Sequence, residues 1–505
     1  MVTNAAAVVL AAGKGERMRS ALPKVLHAIG GKPMIERVLD AALASFGRAV
    51  VVVGAGADEV RRVAAREGVA FATQVSQRGT GDALLCALPE LERAAFSSAF
   101  APGAGGDGDR GEGEDPPGDR GAVAPRNPSL DAPVEWVAML CGDCPLVEER
   151  DLTHFAEGVL REAKRRGGRL NAAVLTAVVG DPRGYGRILR DASGAVERIV
   201  EQAEATEAEA AVCEINTGVL FFSLDFLRRC APRLARYGHA EVYATDLIDL
   251  ANQEAKEGRG LPALAARCAD PQALEGVNDR FQLAAAERRH QRRLAERMAR
   301  QGLGMADPER LDVRGTLKFG KDCFVDCNVV FEGDCELGDG ARVGPNCFVK
   351  DSKIGRGAQI EAFCHIVESD VGAFCSVGPF ARLRPRARLL NGAKIGDFVE
   401  IKKSTVGEGT KINHLSYIGD ATVGAGCNIG AGVITCNYDG RTKSPTKIGD
   451  GAFVGSNCVL VAPIEVGPGA YLGAGSTITK DCPDGMLTVS RTPQRSVPWK
   501  GPKKK

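Results

Sequence analysis

The stretch FGKDCFVDCNVVFEGDCELGDGARVGPNCFV, residues 319–349, carries an aliphatic or aromatic residue at every sixth position. The series consists of Phe319, Val325, Phe331, Leu337, Val343 and Val349, and a small residue usually follows each member four positions later. A sustained period of six is typical of a parallel β-helix, in which the members of the series stack from one coil to the next. This stretch therefore predicts that the chain contains a solenoid.

The period continues toward the C-terminus with occasional slips of one residue, from Ile354 to Ile429 and again from Ile448 to Ile478. It predicts a β-helix domain, with a C-terminal tail, over residues 312–505. The polar stretch TCNYDGRTKSPTK, residues 435–447, interrupts the repeat, and loops extruded from a solenoid commonly build a site. Seven cysteines occupy the small-residue position, which predicts packing residues rather than metal ligands: Cys323, Cys335, Cys347, Cys364, Cys375, Cys427 and Cys458.

The first half of the chain has a different pattern, in which short apolar runs alternate with amphipathic stretches. This alternation predicts an α/β domain over residues 1–280 with an open, mostly parallel, Rossmann-like sheet whose ligands bind at the carboxyl ends of the strands. The predicted strands are 6–11, 49–54, 135–140, 171–179 and 217–222, and the amphipathic stretches include 34–46, 57–67 and 80–94.

Two further segments fall outside these patterns. Residues 101–133 are rich in Gly, Pro, Asp and Arg, which predicts a disordered surface insertion. Residues 281–311 begin with a strongly helical stretch that mixes arginine with glutamate, which favours a solvated linker helix over a nucleic-acid-binding element.

Composition excludes several classes of function. The chain has 505 residues and a net charge of +1, so no global field recruits nucleic acid. No apolar run approaches the roughly 20 residues that span a bilayer, and the N-terminus lacks the basic region of a signal peptide. We expect a cytoplasmic enzyme whose sixteen cysteines are reduced. Cys141 and Cys144 form a CxxC motif, but no second CxxC completes a zinc site.

The stretch VVLAAGKGERMRSALPK, residues 8–24, suggests a phosphate site, because a glycine-rich loop after a strand exposes backbone N–H groups to an anion. Its spacing fits neither the dinucleotide-binding GxGxxG motif nor the P-loop. A third kind of nucleotide site is therefore indicated.

Motifs along nearly the whole chain resemble one family. LAAGKGERM (10–18), QRGTGDA (77–83), CGDCPL (141–146) and EGVNDR (275–280) occur in the family's order, followed by DFVEIKKS (397–404), NHLSYIGDA (413–421) and TCNYDG (435–440). The chain is similar to the bifunctional N-acetylglucosamine-1-phosphate uridylyltransferases that are also glucosamine-1-phosphate N-acetyltransferases. The resemblance implies a left-handed β-helix, a homotrimer, Mg²⁺, and UTP and acetyl-CoA as co-substrates. One departure is Cys141, where the family commonly has tyrosine.

The resemblance also implies roles for residues of the α/β domain. Arg17 and Lys24 would offset phosphate charge as catalytic cations, and Asp143 and Asn278 would bind Mg²⁺. The nucleotide and sugar contacts would come from Leu10, Ala11, Ala12, Gly13, Lys24, Gln74, Gly79, Thr80, Gly186, Glu201, Asn216 and Asn278.

In the β-helix, the resemblance implies that His414 is the general base for acetyl transfer and that Glu400 orients its imidazole. Arg384, Lys402 and Lys443 would clamp the sugar phosphate, while Tyr417, Asn428, Asn437 and Tyr438 would contact the sugar and its amine, the last two also lying on the acetyl-CoA side. Acetyl-CoA would be held by Ala431, Ser456, Ala474 and Arg491.

Two rival functions remain open at this point. One is a monofunctional sugar-1-phosphate nucleotidyltransferase whose β-helix is structural or regulatory. The other is a non-catalytic assembly subunit. His414 and the TCNYDG loop disfavour the first, and the intact glycine-rich loop with Asp143 and Asn278 disfavours the second.

Overall fold

The structure, a computed structural model, describes residues 2–54, 56–93, 132–236 and 241–498. The chain divides into two compact units, Met1–Ala286 and Glu287–Lys505. The boundary falls inside one long helix, Arg280–Arg300. The segment 101–133, predicted to be a disordered insertion, lies outside the described residues except for its last two.

The first unit combines helices with one main sheet. The helices of the chain are α1 Met34–Phe46, α2 Ala57–Ala64, α3 Thr80–Cys86, α4 Leu88–Glu92, α5 Glu149–Arg165, α6 Glu207–Ala210, α7 Leu224–Leu234, α8 Asp246–Lys256 and α9 Arg280–Arg300. The strands of the first unit are β1 Ala5–Ala11, β2 Ala28–Ile29, β3 Lys32–Pro33, β4 Ala49–Val53, β5 Val69–Thr73, β6 Trp136–Cys141, β7 Ala172–Val178, β8 Arg187–Arg190, β9 Val196–Val200, β10 Glu214–Ser223 and β11 Leu264–Arg267.

The main sheet has the strand order β11-β7-β10-β6-β1-β4-β5, with the β8–β9 pair attached to β10. Strand β1 runs parallel to both β4 and β6, whereas β10 is antiparallel to its neighbours β6 and β7. The predicted strands and the mostly parallel α/β sheet are therefore confirmed.

Both faces of this sheet are covered by helices. Alternate residues of β1 face opposite layers: Val9 packs in one core with α1 and α5, and Val8 in another with α3, α7 and α8. A strand buried on both faces needs a continuous apolar run rather than an alternating one, which explains the sequences AAAVVLA and AVVVV.

The loops that follow β1 and β6 meet at one edge of the sheet. The two strands are parallel neighbours, and the Gly142 amide after β6 donates a hydrogen bond of 2.9 Å to the Leu10 carbonyl. The glycine-rich loop and the CGDC motif are thus brought together at the carboxyl ends of adjacent strands, where α/β sheets bind ligands.

The second unit consists almost entirely of short parallel strands. They are β12 Gly304–Met305, β13 Leu311–Phe319, β14 Phe324–Val325, β15 Val329–Leu337, β16 Arg342–Val343, β17 Phe348–Lys350, β18 Lys353–Ile354, β19 Gln359–Ile360, β20 His365–Val367, β21 Asp370–Val371, β22 Ser376–Val377, β23 Arg382–Leu383, β24 Arg388–Leu389, β25 Lys394–Asp397, β26 Glu400–Lys402, β27 Thr405–Val406, β28 Lys411–His414, β29 Tyr417–Gly419, β30 Ala421–Val423, β31 Asn428–Ile429, β32 Ile434–Cys436, β33 Thr446–Ile448, β34 Phe453–Val454, β35 Val459–Val461, β36 Ile464–Val466, β37 Tyr471–Leu472, β38 Thr477–Ile478 and β39 Leu487–Thr488.

These strands form the coils of a parallel β-helix. Val325 pairs with Val343 and Ile354 with Val371, so one coil takes 18 or 17 residues, which is three hexapeptides with or without a slip. Val423 pairs with Ile448, which shows that the 435–447 loop enlarges a single coil. The series residues are buried, apart from the partly buried Phe319 at the first coil. The predicted solenoid is confirmed.

The seven cysteines of the small-residue position are each buried and unpaired, as predicted. Among the described residues, no helix is long and apolar enough to cross a membrane.

Candidate active sites

The glycine-rich loop of the first unit borders a cavity of about 390 Å³. Its lining is strongly basic and polar: Lys14, Gly15, Glu16, Arg17, Lys24, Gln77 and Asn278. Three cations around one cavity fit a polyanionic ligand such as a triphosphate.

Gly15 allows the loop to fold tightly against Lys24. Its φ is +65°, and an added Cβ would lie 2.6 Å from the Cβ of Lys24, which is closer than real atoms approach. Only glycine fits a left-handed position with so little space. The close packing holds Lys24 beside the cavity.

Lys24 lies between the two predicted metal ligands. Its ammonium donates a hydrogen bond to the Asp143 carboxylate and another, of 3.2 Å, to the Asn278 side-chain oxygen. Arg17 also donates to the Asn278 oxygen, at 3.0 Å. The backbone supports this arrangement, because the Val277 amide donates to the Asp143 carbonyl at 2.8 Å. Four of the predicted residues are thus brought together from three distant segments.

The donor set of this cluster fits Mg²⁺. Asp143 and Asn278 direct one carboxylate and one amide oxygen toward the same cation, the Lys24 ammonium. Magnesium prefers hard oxygen ligands and keeps several positions for water and substrate phosphates. Among the described residues, no group of three His, Cys, Asp or Glu side chains is placed to hold a metal ion.

A second group of predicted residues surrounds the start of α3. Gln74 is buried and donates to the Gly79 carbonyl at 3.0 Å and to Asp82 at 2.9 Å. An added Cβ on Gly79 would lie 2.5 Å from the Val242 carbonyl oxygen. The Thr80 hydroxyl accepts a hydrogen bond of 3.1 Å from the Ala244 amide. These two hydrogen bonds hold the side-chain amide of Gln74 in one orientation.

The predicted sugar contacts also lie together. The backbone N–H of Asn216 donates a 2.9 Å hydrogen bond to the Gly186 carbonyl. An added Cβ on Gly186 would lie 3.4 Å from a Glu201 carboxylate oxygen. Burial raises the pKa of Glu201, while a 2.9 Å hydrogen bond from the Thr245 hydroxyl opposes the shift.

In the second unit, the carboxylate that contacts His414 belongs to Asp397. The His414 Nδ1 lies 2.6 Å from an Asp397 carboxylate oxygen, and the two residues occupy matching positions on β25 and β28. A carboxylate only accepts hydrogen bonds, so Nδ1 carries the proton and Nε2 is left as the basic nitrogen.

Glu400, which the resemblance implies as the orienting carboxylate, does not contact His414 in the structure. Glu400 lies in register with Tyr417, not with His414, and its carboxylate accepts a 2.8 Å hydrogen bond from Arg384. Arg382 lies 3.8 Å from the same carboxylate. The physical reason is the coil length, because the residue stacked beneath His414 is the one 17 positions earlier.

Arg384, which contacts Glu400, also lies near Lys402 and Lys443. Contact with the Lys443 ammonium lowers the pKa of Lys402, and the charge of Arg384 adds to the effect. Like charges raise each other's free energy unless an anion lies between them. The 435–447 loop thus brings Lys443 back to the coil that carries Lys402, and the cluster fits a phosphate group.

His414 and Tyr417 lie on either side of a corner of the coil. His414 ends β28 on one sheet, Leu415 turns the chain with a φ of +49°, and Tyr417 begins β29 on the next sheet. An added Cβ on Gly419 would lie 2.4 Å from the Tyr417 hydroxyl, so any larger residue at position 419 would collide with the Tyr417 ring. Asn428 lies on the sheet of His414, in register with Lys411.

The 435–447 loop is held by its own polar contacts. Asn437 is buried and donates to the Asp420 carboxylate, which also lies 3.1 Å from Lys403. The exposed Tyr438 donates its hydroxyl hydrogen to the Gly440 carbonyl at 2.8 Å.

The predicted acetyl-CoA residues lie on the coils that follow. Arg491 donates to the Ala474 carbonyl at 2.7 Å, and the Ser456 carbonyl accepts from the Gly475 amide at 2.8 Å. The Ala431 carbonyl accepts a 2.7 Å hydrogen bond from the backbone N–H of Asn457. Between residues 241 and 498, no described hydrogen bond or ion pair joins this group to His414.

Comparisons with known proteins agree with this architecture. Residues 7–185 match the MobA-like NTP transferase domain, and residues 318–351 and 445–480 match the bacterial transferase hexapeptide. The chain is 42% identical to the bifunctional protein GlmU of Marinobacter nauticus over 98% of each chain. It is 45% identical to GlmU of Bordetella parapertussis over 99% of each chain, and 43% identical to GlmU of Ralstonia pickettii over 98%.

The chain belongs to the GlmU family. The resemblance found from its motifs is thereby confirmed, and the chain is a bifunctional enzyme with a nucleotidyltransferase domain and a hexapeptide acetyltransferase domain. The comparisons support this bifunctional assignment over the two rival hypotheses, a monofunctional nucleotidyltransferase and a non-catalytic subunit.

Three residues of this GlmU chain escaped the sequence reasoning. Gln77 lines the basic cavity and donates to the Ala12 carbonyl, Thr245 holds Glu201, and Asp397 holds His414. Gln77 is the first residue of the QRGTGDA motif, so its position in the sequence could have identified it as a site residue. Asp397 was detectable by counting one 17-residue coil back from His414. Thr245 had no sequence signal.

Proposed function

We propose that this chain makes UDP-N-acetylglucosamine in two steps at two separate sites. The β-helix acetylates glucosamine-1-phosphate with acetyl-CoA, and the α/β unit then transfers UMP from UTP to the N-acetylglucosamine-1-phosphate formed. The observation that carries this proposal is that each compact unit has its own cluster of cations beside a catalytic group: Lys24 and Arg17 at Asp143, and Lys402, Lys443 and Arg384 on the coils next to His414.

In the uridylyl transfer, a phosphate oxygen of the sugar phosphate attacks the α-phosphorus of UTP, and the bond to pyrophosphate breaks. Two anions must approach each other, so preorganised cations and backbone amides contribute most to the rate. Lys24 and Arg17 neutralise the phosphates at the loop 10–15, Gln74, Gly79 and Thr80 hold uracil, and the polar groups at Gly186, Glu201 and Asn216 bind the sugar.

We assign a Mg²⁺ ion to Asp143 and Asn278. When bound, Mg²⁺ supplies charge neutralisation at the phosphates, as it does in other phosphoryl transfers. The Lys24 ammonium contacts both oxygens, so it is placed to exchange these ligands for the phosphates of UTP.

In the acetyl transfer, the amine of glucosamine-1-phosphate attacks the thioester carbonyl, the C–N bond forms, and the C–S bond breaks to release coenzyme A. His414 accepts the amine proton on Nε2, because Asp397 holds the proton on Nδ1. Arg384, Lys402 and Lys443 hold the sugar phosphate, so the amine is presented to the base in one orientation. Tyr417, Asn428, Asn437 and Tyr438 contact the sugar, and the coils from Ala431 to Arg491 hold acetyl-CoA.

We infer that the chain works as a homotrimer in the cytoplasm. Phe363, Phe380 and Phe398 form a stacked column of exposed rings with centroids 4.9 and 5.3 Å apart, and Leu415, the neighbour of His414 in the sequence, is also exposed. An exposed apolar strip of this kind is typical of a surface that another chain covers. Sixteen unpaired cysteines support a reducing compartment.

The roles of Asp397 and Glu400 are separated by one pair of variants. Asp397→Asn is expected to lower kcat for acetyl transfer by roughly 10- to 100-fold with little change in KM, because the amide no longer fixes the tautomer of His414. Glu400→Gln is expected mainly to raise the KM for glucosamine-1-phosphate, because Arg384 loses its partner. Steady-state kinetics of both variants give this comparison. An unchanged kcat for Asp397→Asn, with the loss confined to Glu400→Gln, would restore Glu400 as the orienting carboxylate.

The whole proposal is tested by product analysis. Purified protein mixed with glucosamine-1-phosphate, acetyl-CoA, UTP and Mg²⁺ is expected to yield UDP-N-acetylglucosamine and pyrophosphate, while omission of acetyl-CoA leaves no UDP-sugar containing an acetyl group. If the mixture stops at N-acetylglucosamine-1-phosphate, the function proposed for the α/β unit is wrong.

A further inference from the structure

Cys141 and Cys144 lie on either side of Asp143, the residue that the proposed function assigns to the metal. The Cys144 amide donates a 3.2 Å hydrogen bond to the Cys141 carbonyl, which closes a four-residue turn around the intervening Gly142 and Asp143. Neither thiol forms a disulfide in the structure. A turn of this kind keeps the two Cα atoms within about 7 Å, the outer limit for a disulfide.

The two thiols differ in accessibility. Cys141 is partly exposed at the end of β6, whereas Cys144 is buried with 6% of its surface exposed. The Cys144 sulfur lies 3.5 Å from the Leu274 carbonyl oxygen and 3.7 Å from an Asp143 carboxylate oxygen. This arrangement places a partly exposed cysteine beside a buried one, which is the order of access that an exchange reaction followed by internal resolution requires.

Another thiol pair serves as a comparison. Cys347 and Cys364 occupy equivalent positions on successive coils of the β-helix, but both are buried with only 2% exposed. A disulfide reagent reaches neither of them without opening the coil. Accessibility therefore singles out the pair at Asp143.

We propose that Cys141 and Cys144 form a thiol–disulfide modification site that switches uridylyl transfer off while acetyl transfer continues. The oxidant is a low-molecular-weight disulfide. The Cys141 thiolate attacks it, which forms a mixed disulfide and releases one thiol. Cys144 then loses its proton and attacks the Cys141 sulfur, which forms the internal disulfide and releases the second thiol.

The internal bond would disturb Asp143 directly. A disulfide brings the two sulfurs to about 2.05 Å, so Cys144 must leave its contacts with Leu274 and Asp143. Asp143 lies within the ring that the bond closes, and its carboxylate contacts Lys24. Because a displacement of about 1 Å at a catalytic group costs on the order of 100-fold in rate, oxidation is expected to suppress uridylyl transfer by a factor of that order.

The test uses the full-length protein and oxidised glutathione. Intact mass and peptide mapping are expected to show a loss of two hydrogen masses located at residues 141–144. Uridylyl transfer falls in parallel and returns with dithiothreitol, while acetyl transfer in the same sample stays constant. The mass readout is independent of activity, so a failure of the switch is distinguishable from a failure of the proposed function.

Variants complete the test. Cys141→Ser and Cys144→Ser are each expected to lose the internal disulfide, and Cys213→Ser, which removes an exposed thiol elsewhere in the same unit, is expected to behave like the parent protein. The proposal is overturned if the disulfide maps to Cys347 and Cys364, if a stable glutathione adduct forms in place of the internal bond, or if the internal bond forms with uridylyl transfer unchanged.

Discussion

Asp143→Ala is expected to lower uridylyl transfer by about 10³-fold and to leave acetyl transfer within about twofold of the parent enzyme. The variant removes the carboxylate that contacts Lys24 and that we assign to Mg²⁺. Without this ligand, the metal no longer neutralises the negative charge on the phosphates. Both activities are measured on the same preparation, with N-acetylglucosamine-1-phosphate and UTP for one and glucosamine-1-phosphate and acetyl-CoA for the other.

Asp40→Ala is the matched control for this prediction. It also replaces an aspartate of the first unit that pairs with basic residues, here Lys32 and Arg66, but Asp40 lies on α1 and does not line the cavity. We expect both of its activities to be preserved. An Asp143→Ala protein that is folded and still transfers uridylyl groups at the normal rate would remove Asp143 from the site.

His414→Ala is expected to have the opposite profile. Acetyl transfer falls by about 10²- to 10⁴-fold, which is the usual contribution of a general base, because the variant lacks the imidazole that we assign to accept the amine proton. Uridylyl transfer is unchanged when N-acetylglucosamine-1-phosphate is supplied, since the reaction takes place on the other compact unit.

The control here is His365→Ala, a histidine on another coil of the same β-helix. His365 stacks on Phe348, with ring centroids 5.0 Å apart, and burial lowers its pKa. Its replacement is expected to leave acetyl transfer nearly unchanged. If His414→Ala abolished both activities in a folded protein, the assignment of two independent sites would fail.

Much of the architecture follows from local patterns in the sequence. The residues of the six-residue series from Val325 onward are buried in the β-helix, and the apolar runs of the first half are the strands of the sheet. Both results depend on which faces of a strand are buried, one in the β-helix and both in the first sheet, and the apolar pattern along the chain shows this locally. The motifs likewise identified the glycine-rich loop, Asp143 and His414.

Side-chain contacts between coils could not be predicted from these local sequence patterns. His414 pairs with Asp397 rather than with Glu400, because Asp397 lies one 17-residue coil before His414 on the same sheet, whereas Glu400 lies on a strand of the other sheet, in register with Tyr417. Lys443 reaches Lys402 only because the enlarged coil folds back. The turn that joins Cys141 to Cys144 around Asp143 is equally a matter of backbone geometry.

The sequence by itself therefore determined the two folds, the family and the residue types of each site. The tertiary structure alone decided which charged side chains face one another, and so which carboxylate contacts His414 and which cations lie near Lys402. The physical reason is that burial depends on local periodicity, whereas a pair of side chains meets only when register, coil length and loop path all agree.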